Sequence, residues 1–155
     1  MSLPTWTPAE LSSESSAISC KVWRIVEAQH IVSTLKVVDT RAEQELLEAA
    51  PDNLSVDVLV APHHGSKTSS TPDFIAAVQP EVTIFTVGYR NRFGHPKQAV
   101  LERYAQAGSK IYRSDQDGAV ALNFAKDKAI TMTRWRYQTQ RYWQDAVFPE
   151  TDTPD

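Results

Sequence analysis

The sequence predicts an α/β layered domain with elements in the order ββαβαβαβββ. Three observations carry that prediction. Residues 56–61 (VDVLVA) and 82–87 (VTIFTV) are short, nearly continuous apolar runs, the pattern of central strands covered on both faces. Each is followed by turn residues and then by a helical period, as parallel crossovers require. Near the end, Val120, Leu122 and Phe124 alternate onto one face behind the Asp117-Gly118 turn signal, which predicts an antiparallel meander.

The remaining elements follow from local chemistry. Residues 20–26 and 31–38 are rich in β-branched side chains and flank Glu27-Ala28-Gln29-His30, so they read as two strands joined by a short turn, with His30 exposed in it. Thr40 and Glu43 have capping-box spacing, which opens a helix that Pro51 stops. Thr71-Pro72 sets a cap residue before a proline at the first helical position, and that helix ends near Gln79-Pro80. His95-Pro96 opens a third helix whose Val100, Leu101, Tyr104 and Ala105 form one apolar stripe before Gly108. Residues 110–113, 119–124 and 130–137 read as the last three strands.

Composition bounds the function. A chain of 155 residues with 41% hydrophobic content is expected to form one domain with its own core. A formal net charge of -3 argues against a protein that coats nucleic acid with an overall basic surface. The single Cys20 cannot staple the fold. No apolar run approaches the roughly 20 residues that span a bilayer. The proline- and serine-punctuated opening reads as a disordered leader over 1–17, the domain as 18–143, and 144–155 as a flexible tail.

In open α/β sheets, sites form beyond the carboxyl ends of the strands. Three turns lie there: the one bearing Asp39, the 62–70 loop (PHHGSKTSS) and the 88–96 loop (GYRNRFGHP). His63, His64 and His95, three of the chain's four histidines, fall on the second and third. Imidazoles and a carboxylate suit zinc or manganese, so Asp39, His63 and His64 are the candidate metal ligands. Ser66 and its hydroxyl-bearing neighbours are candidate donors to an anionic oxygen. Lys67, Arg90 and Arg92, with Asn91 and His95, are candidates for a phosphate-binding mouth. Each residue also has a plainer role: Asp39 as a residue before a helix, His95 as a helix cap, the arginines and Lys67 as a solvated face. The Arg134, Trp135, Arg136, Tyr137, Arg141, Tyr142 and Trp143 tail is read as packing of a last strand, with base stacking as the alternative.

The loops bear a specific resemblance. VDVLVAPHHGSKTSS over 56–70 and GYRNRFGHP over 88–96 resemble successive loops of the ComEC family of DNA-internalisation competence proteins. SDQDGA over 114–119 resembles that family's closing hairpin, and Arg141-Tyr142-Trp143 its terminus. The resemblance implies the C-terminal half of a metallo-β-lactamase-fold domain, an αββα sandwich holding two metals, zinc or manganese, between its sheets. It implies a parent in the bacterial inner membrane and a domain that hydrolyses DNA, acting on the strand that is not imported. On that pattern Asp39 matches the metal-bridging carboxylate, His63 or His64 the last histidine ligand, and His95 lines the mouth.

Two departures qualify it. The Thr-Gly-Asp turn usual at the bridging carboxylate is Val37-Val38-Asp39 here, and the H-x-D-x-D-H cluster that supplies most ligands is absent from the sequence. The chain alone is therefore expected to hold no metal tightly and to have little or no activity. Its expected partners are single-stranded DNA, bound weakly and without sequence preference, and either the rest of the parent or a second copy completing the sandwich. A non-catalytic DNA- or protein-binding module is the rival reading, and part of a soluble metallo-phosphodiesterase a third.

Overall fold

The computed structural model describes residues 6–11, 19–25, 30–36, 39–50, 54–124 and 129–139, the first three segments as strand backbone. In chain order the elements are β1 (Trp6–Leu11), β2 (Ser19–Ile25), β3 (His30–Lys36), α1 (Thr40–Ala49), β4 (Val58–Val60), α2 (Pro72–Val78), β5 (Val82–Phe85), α3 (Gln98–Gln106), β6 (Lys110–Arg113), α4 (Ser114–Asp117), β7 (Val120–Asn123), β8 (Thr131–Arg134) and α5 (Trp135–Gln138). A single 3-10 turn at Pro62–Gly65 follows β4.

The mixed α/β class is as the sequence predicts. Strands β1 to β6 form one sheet in sequential order, and β7 and β8 form a separate hairpin. The β1–β2 and β2–β3 pairs are antiparallel, whereas β3–β4, β4–β5 and β5–β6 are parallel. Each parallel strand adds on the same side of the last, so right-handed crossovers carry α1, α2 and α3 to one face.

Side-chain alternation divides the core accordingly. Leu59 and Phe85 face the helices and pack with Ala42 and Leu46 of α1, Phe74, Ile75 and Val78 of α2, and Val100 and Tyr104 of α3. Val58, Val82 and Ile84 face the other way, where Tyr112, Val120, Leu122, Phe124, Ile130 and Met132 pack on them. The two-sided burial expected of 56–61 and 82–87 is thus real. The β7–β8 hairpin thus covers the face of these strands turned away from the helices. The hairpin's own apolar residues are only half-buried.

Several local expectations change. The opening read as a disordered leader contains β1, which pairs with β2 over its whole length, from Trp6 opposite Ile25 to Leu11 opposite Cys20. The pairing replaces an apolar period that this segment lacks. His30 does not sit in a turn but opens β3 opposite Ile25. The strand expected over 130–137 stops at Arg134 and winds into α5. The turn signal at Asp117-Gly118 is preceded by the short α4, whose Asp117 carboxylate accepts from the Arg113 backbone N–H at 2.7 Å. Helix α3 starts at Gln98, two residues beyond Pro96, and Ala105 is exposed rather than part of its buried stripe. Val37, Val38, Arg141, Tyr142, Trp143 and the tail 144–155 lie outside the described residues.

Phe85 is the centre of the helix-side core. It has no exposed surface and meets the edge of the Tyr104 ring at a centroid distance of 5.6 Å and an interplanar angle of 82°. Truncating it removes both the transfer energy and the ring contact. Phe85→Ala should lower stability by about 3–5 kcal/mol, read as a drop in the urea midpoint; a shift of under about 1 kcal/mol would mean that this core is not the cooperative unit.

Candidate functional site

The Asp39 turn and the loops after β4 and β5 leave adjacent parallel strands at the same edge of the sheet. The first loop turns unusually tightly. His63, His64 and Gly65 all adopt positive φ, at 47°, 55° and 80°, a conformation that non-glycine residues rarely take. Gly65 is there for a steric reason as well. A Cβ on it would stand 2.6 Å from the Cβ of Pro96 and 2.8 Å from the Phe85 ring. The second loop closes onto the first at that point, and Lys97 N–H donates to the Gly65 carbonyl at 2.9 Å.

Within the 88–96 loop, Asn91 and His95 are clasped together. Asn91 accepts from the His95 N–H at 2.9 Å and donates to the His95 carbonyl at 2.7 Å, closing the loop on itself. Lys97 Nζ adds a bond to the Phe93 carbonyl at 2.7 Å. The His95-Pro96 peptide is cis. His95 does not cap α3, because the N-cap is Lys97 and no side chain caps the helix there. Instead the imidazole stacks on Phe93 with ring centroids 6.0 Å apart and lies 6.1 Å from the His63 ring. Its Nδ1 is buried without a hydrogen-bond partner. Burial first, then the Lys97 ammonium and the neighbouring His63 and His64, lower its pKa below the ordinary value. The neutral ring is the favoured form.

These residues enclose a cavity of about 220 Å³ lined by His64, Thr86, Val87, Gly88, Asn91, Phe93 and His95. His64 Nδ1 lies 3.1 Å from the Thr86 hydroxyl at its rim. Residues of the 62–70 and 88–96 loops thus line one cavity. Arg90 and Arg92 are exposed above it rather than in its lining, each with its guanidinium over the preceding or following ring: Arg90 5.1 Å from Tyr89, Arg92 4.9 Å from Phe93. Lys67 is exposed on the first loop and outside the lining.

Asp39 is the N-cap of α1, and its carboxylate accepts from the Ala42 N–H at 3.0 Å. Ser66 is turned inward, with its hydroxyl 3.2 Å from that of Thr68. Ser69 and Ser70 are buried too. Ser69 donates to the Pro62 and Ser66 carbonyls, each at 3.1 Å, and the Ser70 hydroxyl accepts from Tyr104 at 3.0 Å. Ser66, Ser69 and Ser70 are therefore internal scaffolding.

The reason is a residue that sequence reasoning assigned elsewhere. Glu43 does not complete a capping box with Thr40, whose hydroxyl donates instead to the Thr68 carbonyl at 3.2 Å. Its carboxyl group has no exposed surface and accepts from the backbone amides of Ser70 and Thr71, the latter at 2.8 Å. The Ser70 and Thr71 amides are thus occupied by the chain's own acid. Arg103 Nη1 adds a bond to the Ser70 carbonyl at 2.9 Å, and burial pushes the Tyr104 phenol well above its usual pKa. Thr86 was also missed; its only sequence signal is a hydroxyl at the end of a buried strand.

Among the described residues no three His, Cys, Asp or Glu side chains gather into a metal-holding group.

Comparison with known proteins places the chain. It is 35% identical over 132 residues to competence protein ComA of Neisseria gonorrhoeae, covering 84% of this chain and 18% of that one. It is 33% identical over 118 residues to ComE operon protein 3 of Bacillus subtilis, covering 76% and 13%. The chain belongs to the ComEC family of competence proteins. A third relative, recombination protein 2 of Haemophilus influenzae, is 33% identical over 96 residues, covering 62% of this chain and 12% of that one. This ComEC-family chain thus spans less than a fifth of the length of each relative. No protein-family model matches it, and no solved structure matches it. Among the described residues no helix is long and apolar enough to cross a membrane.

Removing the Glu43 carboxyl leaves two backbone donors without their acceptor, each costing about 1–3 kcal/mol. Glu43→Ala should therefore lower the thermal midpoint markedly, and Glu43→Gln, which keeps one acceptor oxygen, should lower it less. Equal midpoints for all three proteins would show that the loop does not depend on this residue.

Proposed function

We propose that this chain is the C-terminal portion of the metallo-β-lactamase-type domain of a ComEC-family DNA-uptake protein, and that its two histidine loops form one wall of a phosphodiester-handling site. The observation that carries the reading is the meeting of the 62–70 and 88–96 loops around the cavity holding His64 and His95. Kinship with competence proteins supports DNA as the ligand. The parent protein sits in the inner membrane, and the complete domain hydrolyses the strand that is not taken up.

Bound zinc or manganese would supply a hydroxide at neutral pH and polarise the phosphodiester. In this stretch His63, His64 and His95 are the groups suited to face such a centre, and Asp39 has one carboxylate oxygen beyond its capping bond. Arg90 and Arg92 neutralise phosphate at the rim, with Lys67 on the neighbouring loop. Asn91 positions His95, and Thr86 orients the His64 ring. The remaining metal ligands come from the rest of the parent or from a second copy.

Two measurements test this. Calorimetry on the purified chain should find weak zinc or manganese binding, because among the described residues no three His, Cys, Asp or Glu side chains gather at one point, whereas a catalytic zinc takes three protein ligands and a structural one four. Sub-micromolar binding of two metals per chain would overturn the assignment to half a domain. A labelled single strand should bind weakly at low salt, lose affinity steeply as salt rises, and bind less well to the Arg90→Ala, Arg92→Ala double variant. Phosphate contacts carry no base information, so sequence should hardly matter. Identical curves for wild type and double variant would remove the arginines from the site.

A further inference from the structure

Three large apolar side chains stand out in solvent among the described residues: Tyr89 at 57% exposure, Phe93 at 61% and Trp135 at 58%. Exposed rings of this size are informative where they gather beside polar chemistry. Tyr89 and Phe93 do so on the 88–96 loop, and Phe93 is itself part of the cavity wall. Both rings are held by cations. Tyr89 has the Arg90 guanidinium at 5.1 Å on its own loop and that of Arg136, from α5, at 5.9 Å. Phe93 has the Arg92 guanidinium at 4.9 Å and the His95 ring stacked on it at an interplanar angle of 15°.

The supports are themselves fixed. Arg136 Nη1 donates to the Asp115 carbonyl at 2.7 Å, and the Asn91 clasp holds the loop that carries both rings. The loop from Gly88 to Lys97 contains Arg90, Arg92 and Lys97 and no acid, on a chain whose formal net charge is -3. Two exposed aromatic rings, each beside an arginine and with no acid on their own loop, match an anionic ligand that also carries flat π-faces. An unpaired nucleic-acid strand has both features, since its phosphates suit the guanidinium groups and its bases stack on rings. A duplex hides its base faces and can use only the arginines.

We propose that Tyr89 and Phe93 form a base-stacking ledge beside the His64–His95 cavity, which makes the site select an unpaired strand. This rests on the reading of the cavity as a phosphodiester site and adds to it a choice between strand states. The two rings act as positioning residues: a base on Phe93 sets the adjoining phosphate at the mouth.

The test uses the full chain and two labelled oligonucleotides of equal length, one of thymidines and one of abasic deoxyribose phosphates, at two salt concentrations. The wild type should bind the thymidine strand more tightly, by about tenfold for each stack lost in the abasic strand. Tyr89→Ala with Phe93→Ala should abolish that difference, bringing its thymidine-strand affinity down to its own affinity for the abasic strand. Tyr89→Phe with Phe93→Tyr should retain it, and unchanged thermal midpoints should show that all three proteins are folded. Equal wild-type affinity for both strands, still lost in the arginine double variant, would overturn the ledge and leave the phosphate site standing. A ring double variant that weakens both strands alike would also overturn it. No binding of either strand would overturn both readings and assign the rings to a protein surface, such as the rest of the parent chain.

Discussion

Glu43 lies on the first turn of α1, yet the bonds that matter are made to backbone twenty-seven and twenty-eight residues away. A carboxyl group with no exposed surface must have its oxygens satisfied, and here Ser70 and Thr71 do so with their amides. That single contact locks the far end of the histidine loop to α1. Tyr104 and Arg103 then bind the same segment from α3, through the Ser70 hydroxyl and carbonyl. All three helices on this face are tied together at Ser70, since Thr71 caps α2 by accepting from Phe74 N–H at 3.3 Å. Ser70 itself has a φ of 59°, a left-handed conformation that the converging bonds can hold against its intrinsic cost.

With the far end fixed, the near end of the loop can be bent. His63 and His64 are pushed into left-handed backbone so that both side chains stand in solvent while Pro62 and Gly65 remain buried. The bend fits because Gly65 has no Cβ to collide with Phe85 and Pro96. Phe85 therefore serves twice, as the core of the helix side and as the floor beneath the loop junction. The second loop leans on that floor, and its conformation brings His95 to within 6.1 Å of His63. Packing thus reaches the site through one ring and one glycine.

The opposite face of the sheet is organised by a different set of polar groups. Ser114 sits where β6 ends, and its hydroxyl donates to the Val87 carbonyl at 2.7 Å and accepts from the Val87 N–H at 2.8 Å. It thereby ties β6 to the chain just before Gly88, where the second loop begins. Asp115 pairs with Arg113 at 2.7 Å, while the Asp117 carboxylate holds the Arg113 backbone. These contacts turn the chain so that β7 and β8 fold back over Val58, Val82 and Ile84. The same turn sets α5 beside Tyr89 through Arg136. The SDQDG stretch is a corner piece that shapes both the hairpin and the rim of the cavity.

Much of this was legible in the amino-acid order, because it depends on neighbours along the chain. The buried runs of β4 and β5, the Thr71-Pro72 helix start, the antiparallel β7–β8 pair and the two chemically odd loops all follow from local pattern, and the loops carried most of the resemblance to the ComEC family. The expected three-strand meander did not form, because β6 joins the main sheet parallel to β5. What local pattern could not supply was partner choice across distance. Thr40 and Glu43 have capping-box spacing, but spacing says nothing of the Ser70 and Thr71 amides that compete for the same carboxyl. Ser66, Ser69 and Ser70 read as donors to a ligand until packing turns their hydroxyls inward. Residues 6–11 show no apolar period, and only an adjacent strand edge makes them a strand. The composition of the loops belonged to the sequence; which of their atoms remain available to a ligand was decided by the tertiary structure, because a buried polar group binds whichever partner the fold brings to it.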